Sequence, residues 1–415
     1  MERRVVITGL GVVAPTGIGK DAFWAAAREG RSGTGRPTRS DRPDLPVKVV
    51  GEVKDFEPTA YMPKKLVVRS DRNTHFAFAA CAEALADAGI DPAQEDRARV
   101  GLVLASNYGG LGYSLEGLAR LHQKGPSFVS AYLAIAFIPS APVGQLSIFY
   151  GIGGYSKTLL NDAAGGADAI GAAYRAVRRG DADVIIAGGF EALLIEEAFA
   201  LLALVPGACR DAPDPAAAFR PFNAERPGIV FGEGGAILIL EELSRARARG
   251  APIYGEVAGY GQTTDAVDLH HFAADGAQYA RAFSLALSMG DLTPDDVGYV
   301  NADGRGTAAG DRAEARALRR VFGERLARTP VSAPKSMTGN ALAGAGAIDA
   351  AYAALALRHG LIPPTINVSC QDPECDLRLV TDKPEAAALD VALLGARGAG
   401  GVNAALAFKR VGSRE

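Results

Sequence analysis

TLLNDAAGGADAIG, residues 158–171, decides how the whole chain is read. Apolar residues run into a tight turn of small residues, and a helical pattern follows. Ile170, Ala173, Tyr174 and Val177 keep the i, i+3, i+4, i+7 rule, and Gly180 stops the helix. A strand, a sharp turn and a helix make the kind of elbow on which α/β enzymes mount a nucleophile. Here the turn offers Asn161, Asp162, Ala163, Ala164, Gly165 and Gly166, and none of these is Ser, Cys or Lys. The elbow is built and left empty.

Outward from the elbow, DVIIAGG (183–189) supplies the next strand, so residues 156–189 form one βαβ unit. Strand-like runs occur at 4–13, 99–106 and 236–242, with a helical run at 75–90. After the connection RARARGAPIYG (245–255) the scheme restarts. VGYVNADG (297–304) reads as a strand, DRAEARALRRVFG (311–323) and AIDAAYAALALRHG (347–360) as helices, and NAALAFKRV (403–411) as a last strand. Continuous apolar strands between helices predict sheets buried on both faces. The reading is two related α/β halves, residues 1–250 and 251–415.

Composition narrows the function. The 415 residues are 48% hydrophobic and 22% charged, enough for a sizeable core, and the net charge is −3. No basic run suits a nucleic acid. No apolar stretch approaches the roughly 20 residues that span a bilayer. MERRVVITGLGVV reads as a first strand and not as a secretory leader. A soluble, cytoplasmic protein is expected. Cys81, Cys209, Cys370 and Cys375 show no metal-ligand spacing, and His270 and His271 are placed on a surface loop. GLGVVA (9–14) imitates a dinucleotide fingerprint, but Pro15 follows at once and the helix begins late. GIGKD (17–21) imitates the end of a phosphate loop, but Asp21 stands where a magnesium-holding hydroxyl belongs.

Two further stretches accompany the elbow. VNADGRGT (300–307) is a strand running into a glycine-rich turn with Asp303 at its exposed tip, and PKSMTGNALAGAGAID (334–349) is framed by Lys335 and Asn340. Small residues around all three suggest backbones packed closely about a cavity.

These stretches, with VVITGLGVVAPTG, RPFNAERPGIVFGEGGAILILEE, LIPPTINV and GAGGVNAAL, resemble a β-ketoacyl-ACP synthase over nearly the whole chain. The resemblance implies the thiolase-like fold, an α/β duplication in α-β-α-β-α layers with mixed five-stranded sheets. It also implies the site. Active members carry Cys at the elbow, where the thiolate takes an acyl chain from a carrier protein. Two His assist decarboxylation of malonyl-ACP and stabilise the enolate and oxyanion. The matching positions here are Ala163, Asp303 and Asn340, while Lys335 keeps the family's loop lysine. Arg397 and Ala399 stand where active members have gating phenylalanines. The family's decarboxylating variants place Gln at the elbow but keep both His, and this chain departs at all three positions.

Within the family the chain resembles the chain length factor, the ketosynthase β subunit of type II polyketide synthases. The matching features are the Ala164–Gly166 run, ADG (302–304), GDRAEARALRRVFG and GPSFVSAY (125–132). That resemblance implies a non-catalytic subunit paired with an active ketosynthase α subunit and an acyl carrier protein. Substrates would arrive on phosphopantetheinylated carrier, with no cofactor of the chain's own. Leu111, Ser114 and Leu118, on the helix after the glycine turn of SNYGGLGYSLEGLARL (106–121), match positions that set tunnel length. They share one helical face, and their small size favours a longer or wider tunnel, as for a reduced or polyene chain. Two other readings stay open: an active acyltransferase with an atypical nucleophile, Ser156 being nearest, and a stand-alone acyl-binding scaffold homodimer.

Overall fold

Ten strands of the computed structural model, which describes residues 3–40 and 42–412, follow one hydrogen-bonded path. The first half contributes β1 (Val5–Ala14), β2 (Val100–Ala105), β3 (Ser156–Leu159), β4 (Val184–Glu191) and β5 (Gly234–Glu242). The second contributes β6 (Gly255–Thr264), β7 (Tyr299–Asn301), β8 (Val331–Ser332), β9 (Val391–Gly398) and β10 (Val402–Lys409). The spatial order is β3-β2-β4-β5-β1-β6-β10-β9-β7-β8. Counted outward from the centre, each half runs first, fifth, fourth, second, third. Each outer trio is parallel and each inner pairing antiparallel. The duplication is therefore real in topology. The two five-stranded halves are joined where β1 meets β6, at Val6–Glu256 and Ile7–Gly255.

Helices make the remaining layers. The outer helix α1 (Arg72–Ala88) packs on β1 and β5. Beyond it in the chain lie α2 (Leu111–Lys124), α3 (Gly165–Arg179) and α4 (Glu196–Leu204), followed by α5 (Ala277–Met289), α6 (Ala308–Phe322) and α7 (Ala345–His359). In the second half α5 covers β6 and β10 as α1 covers the first. The central helices α3 and α7 pack against each other and against strands of both halves. Residues 345–357 of α7 are buried all round, as its mostly apolar, alanine-rich sequence requires, with Asp349 the one acid among them.

Small residues let α3 and α7 begin in near contact. A Cβ on Gly166 would lie 2.5 Å from the Ala347 nitrogen, and one on Gly346 would lie 2.7 Å from the Ala167 nitrogen. Both helices follow the same kind of turn. Asp162 (φ 48°) precedes α3 and Leu342 (φ 48°) precedes α7, each in the left-handed region that side chains avoid.

Candidate functional site

The elbow is fixed from several sides. The Asn161 amide donates to Asp168 Oδ2 (2.6 Å), and the Asp162 N–H donates to Asn107 Oδ1 (3.0 Å). Asp162 Oδ2 accepts the N–H of Ala399 (2.8 Å). Ala163 itself is buried and carries only a methyl group. The turn has kept the geometry of a nucleophile elbow without a nucleophile.

Asp303 is not the exposed tip that its glycine-rich surroundings suggest. It is fully buried, because α6 and the end of β9 cover the turn. Its Oδ1 accepts from Lys335 Nζ (3.2 Å), and its Oδ2 accepts from Arg397 Nε (3.1 Å). Lys335 Nζ also reaches Asp349 Oδ2 at 2.9 Å. Arg397 donates to the Gly310 carbonyl (3.0 Å) and lies 3.5 Å from Glu314 Oε2. Glu314 accepts the N–H groups of Asp303 and Gly304, both at 2.8 Å, and the Tyr279 hydroxyl at 3.1 Å. The rings of Phe272 and Tyr279 flank the guanidinium at 4.5 and 4.9 Å. Two cations and three carboxylates thus share one dry cluster.

Asp303 and Arg397 are therefore coupled to each other. Arg397 is the counter-ion that makes a buried Asp303 tolerable. Burial works to raise the Asp303 carboxyl, but Lys335, Arg397 and Arg305 hold it below its ordinary value. A carboxylate engaged at both oxygens can only accept hydrogen bonds, so it cannot donate to an oxyanion as an imidazole does.

Burial pushes Glu314 up to about 7 and Asp349 up to about 6, against the pull of Arg397 and Lys335 respectively. An acid whose folded value lies above its unfolded value of about 4.3 loses stability as pH rises between the two. Folded chains keep that proton longer than unfolded ones across this window. Glu314→Gln is accordingly expected to flatten the fall in stability from pH 4.5 to 7, as measured by urea unfolding at several pH values. An unchanged slope would contradict the assignment.

Asn340 is buried, and its Oδ1 accepts the Leu342 N–H at 2.9 Å. It forms part of the wall of a cavity of about 270 Å³ that opens to the surface. Leu193, Leu202, Ile229, Phe231 and Leu342 supply an apolar lining, while Asp162, His270, Arg305 and Ala399 add polar and backbone groups. Ala163, Asp303, Lys335 and Arg397 are not among its lining residues. Asn340 thus lines the cavity, whereas Ala163 and Asp303 are buried and do not line it.

On α2, Leu111 is partly buried against the cluster of the chain's own core that includes Leu45, Leu193 and Phe199. Ser114 is partly buried, and Leu118 is 43% exposed. Ser156 lies exposed on β3, and its hydroxyl donates to the Gly154 carbonyl at 3.3 Å. His271 contacts Asp268 on an exposed loop, and His270 beside it lines the cavity mouth. Cys81, Cys209 and Cys375 are buried and Cys370 is exposed. No group of side chains suited to a metal ion occurs among the described residues.

Residues 2–246 match the β-ketoacyl synthase N-terminal domain, and residues 254–369 match the corresponding C-terminal domain. The chain belongs to the β-ketoacyl synthase family. Within it, the chain is 40% identical over 410 residues to the tetracenomycin polyketide synthase ketoacyl synthase beta subunit of Streptomyces glaucescens, covering 98% of each chain. It is 39% identical over 409 residues to 3-oxoacyl-[acyl-carrier-protein] synthase 2 of Synechocystis sp., covering 99% of this chain and 98% of that one. Among solved structures, the ishigamide ketosynthase/chain length factor superposes with a TM-score of 0.91 at 31% identity, covering 99% of this chain and 100% of that one. A type II polyketide acyl-carrier protein in complex with its ketosynthase bound to the hexaketide gives the same TM-score at 32% identity and the same coverage. The thiolase-like fold implied by the motifs is thereby shown.

The family motifs locate Asp303 and Arg397 but do not reveal that they touch, since 94 residues separate them. Glu314 and Asp349 were missed as site residues. The signal for Glu314 was present: Asp311, Glu314, Ala315 and Leu318 recur at helical spacing on the buried face of α6. Acids on an apolar stripe need buried partners.

Proposed function

We propose that this chain is a chain length factor: a non-catalytic subunit that pairs with an active ketosynthase and walls the tunnel into which the growing polyketide extends. The observation that carries the reading is the locked Asp303. The position matched to a catalytic imidazole holds a carboxylate clamped between Lys335 and Arg397, and the elbow carries Ala163. The similarity to a ketoacyl synthase beta subunit supports the same reading.

The surface supports a partner. β3 ends the sheet, so its outer edge has no strand beside it among the described residues. The segment leading to it exposes Leu118, Phe128, Ile135, Ile148 and Phe149, with Ile148 at 84%, and Leu160 is exposed just after it. Apolar surface on that scale marks a protein interface. Leu118 therefore faces the partner side, where a tunnel between subunits would run, and Ser114 sits one turn behind it. Malonyl units would arrive on a phosphopantetheinylated acyl carrier protein, and the chain would need no cofactor of its own. No helix among the described residues is long and apolar enough to cross a membrane.

Similarity to 3-oxoacyl-[acyl-carrier-protein] synthase 2 favours a second reading, an enzyme with an unusual nucleophile. Ser156 is poorly placed for it, lying on the outer strand away from the cavity. The test of the preferred reading is product length. With an active ketosynthase, carrier protein and malonyl donor, Ser114→Phe or Leu118→Phe is expected to shift products toward fewer condensations by mass spectrometry. Unchanged length from an intact heterodimer would overturn the tunnel role.

A further inference from the structure

The missing thiol and imidazoles do not account for one contact between the cavity and the elbow. Asp162 and Ala399 both line the cavity, and Ala163, next to Asp162 in the chain, is 1% exposed. Asp162 Oδ2 accepts the Ala399 N–H at 2.8 Å. The turn that carries Ala399 is held at two further points. The Gly400 N–H donates to the Leu269 carbonyl (2.8 Å), and the Asp265 N–H donates to the Gly401 carbonyl (2.9 Å). On the elbow side the packing is already closed, since a Cβ on Gly398 would lie 2.4 Å from the Asn161 carbonyl oxygen. Asp162 occupies the left-handed region at φ 48°, a conformation that persists only where its surroundings fix it.

We propose that Asp162 is a latch that excludes acyl donors from the elbow, independently of the lost nucleophile. Its carboxylate consumes the backbone N–H of Ala399 and pins the 399–401 turn against the elbow at Asp162. A thioester approaching position 163 meets a closed turn, and the Ala399 N–H is no longer free to receive its carbonyl oxygen. A malonyl group also meets a fixed negative charge. Restoring a thiol at 163 therefore leaves the chain unable to take an acyl group until Asp162 is changed too. This extends the non-catalytic reading, but its test needs no partner subunit and fails or succeeds without one.

The experiment uses the full chain with Cys370→Ser to remove the exposed thiol. Ala163→Cys is combined with Asp162 intact, Asp162→Ala or Asp162→Asn, and alkylation of position 163 by iodoacetamide is followed by peptide mass spectrometry. The latch predicts slow alkylation with Asp162 intact and a rise of about tenfold or more with Asp162→Ala, the scale of one hydrogen bond to a charged group. It predicts a rate near the intact one with Asp162→Asn, whose Oδ1 still accepts. Equal rates in all three would overturn it. Should Ala163→Cys fail to fold, hydrogen exchange of the peptide bearing Ala399 decides the matter without it. Exchange is expected to quicken in Asp162→Ala and to stay near that of the native chain in Asp162→Asn. Unchanged exchange in Asp162→Ala would overturn the latch.

Discussion

Replacing Arg397 by methionine is expected to destabilise the fold by about 3–5 kcal/mol, the range for removing one partner of a buried ion pair. The guanidinium is 1% exposed and neutralises Asp303 and Glu314, both fully buried. Lys335 alone would then face Asp303 and Asp349, leaving three carboxylates with one cation. Asp303→Asn in the same chain removes the charge that most needs Arg397. The double variant is therefore expected to lose clearly less stability than the two single losses added together. Urea unfolding of the four chains measures the coupling. Additive losses would mean that the two departures from the family pattern are independent, contrary to the geometry.

The second large effect lies in the central layer. Gly166→Val is expected to cost about 3 kcal/mol or more, at the upper end for overpacked cores. The atoms that a Cβ would strike there, the Ala347 nitrogen at 2.5 Å and the Ala343 carbonyl oxygen at 2.9 Å, belong to backbone. They cannot swing aside as a flexible side chain could. Gly144→Ala supplies the control. Gly144 sits in the exposed helix Ala141–Tyr150, where an added Cβ meets nothing within 4 Å. That substitution is expected to gain up to about 1 kcal/mol from helix propensity. Equal behaviour of the two variants in thermal unfolding would contradict the close approach of α3 and α7.

The alternation of strands and helices was legible because each strand is a continuous apolar run and glycine closes the central helices. α3 ends at Gly180 and α7 at Gly360, both in the left-handed region. The repeat was legible for the same reason, and the connection at 245–255 falls between β5 and β6. The identities at 163, 303 and 340 were legible from motifs alone. Their surroundings were not. Gly304 and Gly306, just after Asp303, read as a surface turn, yet here they let the chain turn beneath a covering helix. On α2, helical spacing puts Leu111 and Leu118 on one stripe without saying what each end of the stripe meets. Leu111 packs into the chain's own core, whereas Leu118 is presented outward. The ion pair of Asp303 with Arg397 joins segments 94 residues apart in the chain, and local pattern carries no record of such a contact.

The central claim is that the fold has been kept while its chemistry resides in another subunit. The most direct measurement is product formation by mass spectrometry from malonyl-ACP, supplied to this chain alone, to a cognate active ketosynthase alone, and to both together. Elongation only when both are present is the result expected. Elongation by this chain alone would reveal a nucleophile outside the elbow and contradict the account.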